Sequence, residues 1–113
     1  MLPREHNYLL DMLKAAKLAQ EFVADVDWDK FQLDLMRQAA VTRQLEIIGE
    51  AARRISETSQ TEMPEIPWHQ IIGMRNRIAH EYDRINLITL WDTIHLALPK
   101  LISTLETIIG INE

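Results

Sequence analysis

Helical periodicity, uninterrupted by any strand pattern, is what most constrains this chain. From Pro3 onward the apolar residues Tyr8, Leu9, Met12, Leu13, Ala16, Ala19, Phe22, Val23 and Val26 recur every three to four positions, with Arg4, Asp11, Lys14, Lys17 and Glu21 between them. A second stripe runs from about Trp28 to Glu57 through Phe31, Leu35, Ala39, Thr42, Leu45, Ile48 or Gly49, Ala52 and Ile55. A third, shorter one extends from Pro67 to about His80 or Tyr82. A fourth follows Asn86 and carries Leu87, Leu90 or Trp91, Ile94, Leu98, Leu101 or Ile102, Leu105 and Ile108. Each stripe needs another helix to cover it, and no period-two run is present to build a sheet. The pattern predicts an all-α bundle of about four helices.

The joints between stripes carry their own signals. Asp27 is placed to cap the second helix and Asp29 to sit in its positive first turn. Gly49 lies inside that helix, where glycine costs roughly 1 kcal/mol relative to alanine, so it marks a close helix crossing. Ser56 to Pro67, rich in Ser, Thr, Gln and Glu, reads as the one substantial loop, with Pro67 suited to a helix start. Pro99 is expected to kink the last helix by removing a backbone donor.

At 113 residues and 13.2 kDa, with 47% hydrophobic and 26% charged residues, the chain is expected to form a single domain, 1–113. Without cysteine it can build neither disulfides nor thiol chemistry, and a reducing compartment suits it. Arg4, Glu5 and His6 precede any apolar run that could serve as a signal peptide. No uncharged stretch approaches the about 20 residues of a membrane span. A cytoplasmic protein is expected. The formal net charge of -5 excludes a general basic field for nucleic acid, so any phosphate site must be local.

Such a locality exists in the third helix, where Arg75, Asn76, Arg77 and His80 stand close together and Tyr82 and Arg84 follow. Arginine offers a permanent charge with a fork of donors for phosphate, and histidine changes protonation near neutral pH, so the pair can act on a phosphodiester without a metal. On an ideal helix Asn76 and His80 lie within about 40° of each other, but Arg75 and His80 are about 140° apart. A long arginine side chain, a frayed helix end or a second copy of the helix across a twofold axis would close that gap, the last most economically. Glu50 and Arg54 are spaced for an ion pair along one helix face. His69 and His95 lack the paired ligand spacing of a metal site, and no metal or cofactor is expected. Trp28, Trp68 and Trp91 fall among apolar positions and read as core or interface anchors.

The run RNRIAHEY, an Arg-x4-His-x-Tyr pattern at Arg75, His80 and Tyr82, resembles the signature of the HEPN ribonuclease superfamily and of its HepT toxins. IGEAARRIS from Ile48 to Ser56, the PEIPWHQIIGMRN lead-in, Trp91 and Leu98-Pro99 resemble the same family in register. The resemblance implies a HEPN-like homodimer and a metal-independent endoribonuclease of a type VII-like toxin–antitoxin system. In it, Arg75 and His80 from two subunits line the interface, Asn76 orients His80 or the phosphate, and Glu50 and Arg54 match the superfamily's E-x3-[KR] element as support. Arg77 and Arg84 are candidate grips on the RNA backbone. The partner implied is an MNT-type nucleotidyltransferase antitoxin, which in this family transfers AMP to the tyrosine matching Tyr82. The rival expectation is a helical adaptor that binds nucleotide or docks the nucleotidyltransferase without cutting RNA.

Overall fold

Four rods make the bundle: α1 (Pro3–Phe22), α3 (Leu35–Arg53), α5 (Trp68–Glu81), and a final rod in which α6 (Leu87–Asp92) passes through a π-helical turn (Thr93–Ala97) into α7 (Leu98–Asn112). Two short helices, α2 (Trp28–Leu33) and α4 (Glu57–Glu62), fill the corners. This computed structural model describes residues 1–81 and 84–112, with side chains to residue 110, so Tyr82 lies outside the described residues. All the regular structure described is helical, as the periodicity predicts. No described helix is long and apolar enough to cross a membrane.

α3 is the central rod, packed on α1 and α5, while α1 also packs on α7. The stripes read from the sequence supply most of the core, with Leu9, Met12, Ala16, Phe31, Leu45, Leu90, Ile94 and Leu105 all buried. Early in α3, however, the predicted Leu35 and Ala39 are exposed and Val41, outside the stripe, is buried in their place. At one end Trp28, Phe31 and Trp91 form an aromatic cluster with ring centroids 5.1 to 6.4 Å apart, and His95 stacks 4.0 Å from Trp91. Trp68 is buried separately at the start of α5, its indole N–H donating to the Met63 carbonyl at 3.0 Å.

The caps behave as their residue types require. The Asp27 carboxylate accepts from the Lys30 N–H at 2.9 Å, and the Asn86 side chain accepts from Ile88 and Thr89 at 2.8 and 3.2 Å.

Three details depart from the sequence expectation. The stripe from Trp28 to Glu57 is not one helix, because Asp34 interrupts it with φ -103° and ψ 88°. Its carboxylate caps α3 by accepting from the Arg37 N–H at 3.0 Å, and the Gln38 amide donates to the Phe31 and Gln32 carbonyls at the end of α2. Leu33 and Leu35, which flank the break, are exposed.

The supposed loop from Ser56 to Pro67 contains α4, capped by the Ser56 hydroxyl accepting from the Ser59 N–H at 3.2 Å. This helix escapes a periodicity reading because Ser59, a polar residue, is its buried position. Glu5 of α1 is also buried and faces the start of α4. The Ser59 hydroxyl foremost, then the Ser56 hydroxyl and N–H, hold its carboxyl below the usual glutamate range against the opposing effect of burial. The disruption expected of Pro99 takes the form of the π turn just upstream, where the Leu98 N–H reaches back to the Thr93 carbonyl.

Candidate active site

The site is organised by one close approach. A Cβ added to Gly49 on α3 would overlap the Cβ of Arg75 and come within 3.2 Å of the Ile71 carbonyl oxygen, so α5 crosses α3 with almost no gap. The crossing expected of Gly49 is there, and Arg75 is the residue that fills it. From that point the Arg75 side chain, about one-fifth exposed, turns onto the next residue of α3.

There its Nε lies 3.0 Å from Glu50 Oε2. The contact is one of charge rather than an aligned hydrogen bond, since the buried Nε–H finds no acceptor in line. Arg75 Nη1 donates to Asn76 Oδ1 at 3.1 Å, which fixes the guanidinium from the other side. Glu50 serves two further cations, Arg53 Nε at 3.4 Å and Arg54 Nη2 at 3.5 Å, both through Oε1. One carboxylate thus faces three guanidiniums. The Glu50–Arg54 spacing was legible in the sequence; Arg53, at the neighbouring i,i+3 position, was not singled out.

His80 stands one turn beyond Asn76 and is exposed. Among the described residues no hydrogen bond or ion pair engages its side chain. Arg77 projects from nearly the opposite side of α5 from Arg75, at about 200° on the helical wheel. It lines a separate, largely apolar groove of about 550 Å³ with Leu45, Ile48, Met74 and Leu98. Arg84 is exposed just past α5. The sequence candidates therefore divide: Glu50, Arg54, Arg75 and Asn76 come together, while His80, Arg77 and Arg84 stand apart from them.

Arg75 also borders a polar cleft of about 380 Å³ between α1 and α3, whose α1 wall includes Tyr8 and Asp11. Nothing in the local spacing of Tyr8 or Asp11 tells of this, because it depends on how α1 packs against α3. Among the described residues no group of three or more His, Asp or Glu side chains is placed to hold a metal ion. Chemically, the arrangement offers a positioned, partly desolvated guanidinium for an anion and, further along the same helix, an imidazole open to a substrate or a second chain.

Residues 12–108 match the family described as Ribonuclease HepT-like. The chain is 37% identical to an RNase-named protein of Methanocaldococcus jannaschii, across 89% of this chain and 93% of that one. It is also 37% identical to the Probable ribonuclease HepT of Thermococcus cleftensis, across 88% and 92%. An RNase-named protein of Caldanaerobacter subterraneus is 33% identical, across 83% and 84%. No solved structure matches the chain. Because the matched span contains α3, the Gly49 crossing and the whole of α5, the chain belongs to the HepT-like ribonuclease family of the HEPN superfamily.

Proposed function

We propose that the protein is a metal-independent endoribonuclease, the toxin of a toxin–antitoxin pair, working as a homodimer in the cytoplasm. The observation that carries this reading is the contrast on α5, where Arg75 is fixed from two sides while His80 stands bare. A phosphate-binding cation benefits from being preorganised, and a proton-transfer group must be reachable.

In the proposed reaction the RNA 2′-oxygen bonds to the adjacent phosphorus as the P–O5′ bond breaks, leaving a cyclic phosphate and a 5′-hydroxyl. His80 moves the proton and Arg75 balances the charge that builds on the phosphoryl oxygens. Asn76 keeps the guanidinium in place, with Glu50 and Arg54 as support. Arg77, on the opposite side of α5, and Arg84, just past it, would touch RNA backbone only away from the phosphate that is cut.

Two observations support a dimer. Among the described residues no hydrogen bond joins Arg75 to His80 and their positions on α5 are about 140° apart, so a partner's helix would complete the pair. The accessible surface of 7092 Å² also exceeds the ~6,400 Å² that size scaling gives a 13.2 kDa monomer.

The proposed off switch is Tyr82, two residues beyond His80. A nucleotidyltransferase partner would join the tyrosine oxygen to the α-phosphorus of ATP, with pyrophosphate leaving. The added phosphodiester and adenosine would then compete with substrate for the nearby cations.

The deciding experiment is RNA cleavage by purified protein in EDTA. Wild type should cut and His80→Ala should not, while Tyr82→Phe should cut but resist silencing by partner plus ATP. Failure of the wild type to cut any RNA, with partner binding intact, would leave the adaptor reading in its place.

A further inference from the structure

The 380 Å³ cleft between α1 and α3 is large enough for a small-molecule unit and is built of unlike parts. Ile47 and Ala51 form an apolar floor, and the half-buried ring of Tyr8 forms one wall. Arg43 and Arg54 are exposed and engaged by single carboxylates, Glu46 at 2.8 Å and Glu50 at 3.5 Å, so several of their N–H groups still face solvent. Asp11 is an exposed carboxylate with no hydrogen bond or ion pair among the described residues, although arginines share its cleft.

Several ligand classes fail on these features. A bare phosphate has no use for an aromatic wall and a free carboxylate. An acidic peptide would meet Asp11, Glu46 and Glu50. A purely apolar ligand would strip water from six charged groups without replacing it. A nucleotide fits all parts at once, because it joins an anion to a flat ring whose edge donates hydrogens.

We propose that the cleft holds the nucleotide of the RNA next to the phosphate that is cut, with its base against Tyr8, its phosphate on Arg54, and its base edge donating to Asp11. Arg75 belongs to both the cleft and the cutting site, which makes the two continuous. Guanine is the preferred base, because its N1–H and N2–H2 lie side by side and match the two oxygens of a carboxylate. Uracil is the poorest. It lacks an exocyclic amine, and its lone N3–H is flanked by two carbonyl oxygens that repel the carboxylate. This assignment rests on the ribonuclease reading for its substrate, but its binding step can be measured without catalysis.

The test uses full-length His80→Ala protein and fluorescently labelled tetraribonucleotides that differ at one base, with cleavage kinetics of the His80-intact protein in parallel. Tyr8→Ala should raise both Kd and KM about 5- to 150-fold, the ~1–3 kcal/mol of one base stacked on an aromatic ring, and leave kcat nearly unchanged. Tyr8→Phe, which keeps the ring, should restore binding. Asp11→Asn, at an exposed position that the fold does not need, should erase the preference for guanine over uracil. Wild-type affinity in Tyr8→Ala, or an unchanged base order in Asp11→Asn, would overturn the subsite. Base-selective binding without cleavage by the wild type would sink the ribonuclease reading alone, and cleavage indifferent to Tyr8 and Asp11 would sink the subsite alone.

Discussion

Glu50 sits under the guanidinium of Arg75 and also faces Arg53 and Arg54, so a single charge holds apart and orients three like ones. Ion pairs this open to water contribute only about 0–1 kcal/mol, so their value here is positional. Glu50→Gln keeps the shape and removes the charge. It is expected to lower kcat for RNA cleavage about 100-fold, the scale of a misplaced catalytic group, with a thermal midpoint close to wild type. Wild-type cleavage would return Glu50 to an ordinary surface role.

Glu5 is the other residue whose surroundings decide its behaviour. Its folded pKa lies below the ordinary 4.5, so folding favours the ionised form. The resulting stability is fully present above about pH 4.5 and is lost as pH falls through the lower folded value. Acid denaturation followed by circular dichroism should therefore show a steeper loss of stability below that pH in wild type than in Glu5→Gln. Equal slopes would assign the acid sensitivity to other carboxylates.

Among the elements, the α3–α5 crossing is the tightest fit and gives the cleanest contrast. Gly49→Ala forces a methyl into Arg75 Cβ and should cost about 1–3 kcal/mol, with cleavage falling alongside. Gly73→Ala, on α5 itself, meets nothing within 4 Å and should raise stability by about 0.4–1 kcal/mol. Chemical denaturation separates the two, and a neutral Gly49→Ala would show that the helices can slide apart.

How much of this was legible depends on the range of the interaction. The four rods, the caps at Asp27 and Asn86 and the crossing at Gly49 follow from local spacing and residue type. The break at Asp34 was hidden because Leu35 and Ala39 continue the apolar spacing in the sequence although both are exposed in the fold, and its cause is a side-chain cap completed by Arg37 and Gln38. Helix α4 was hidden because its buried residue is a serine.

At the scale of the whole molecule, the proposed site takes two copies of the chain. If Arg75 and His80 act across an interface, neither Arg75→Ala nor His80→Ala should cut RNA alone. Their co-refolded mixture should recover roughly a quarter of wild-type activity, since half of the random dimers are mixed and each carries one intact composite site of two. An inactive mixture with confirmed subunit exchange would place both residues in one protomer's site. The sequence could name the residues of such a site and, through the 140° offset, show that one helix does not readily supply it. It could not show that Arg75 is claimed by α3, nor that Tyr8 and Asp11 share its cleft, because those facts arise from packing between distant segments.

The segregation of the tryptophans has a use of its own. Trp28 and Trp91 share one cluster with Phe31, and His95 lies against Trp91, whereas Trp68 stands alone at the head of α5, tied by its indole to Met63. With Trp28 and Trp91 replaced by phenylalanine, the remaining emission would come from one indole at the root of the helix that bears Arg75 and His80. The chain thus carries a native optical gauge of that helix's docking, and changes at the site could be followed by light without attaching a label.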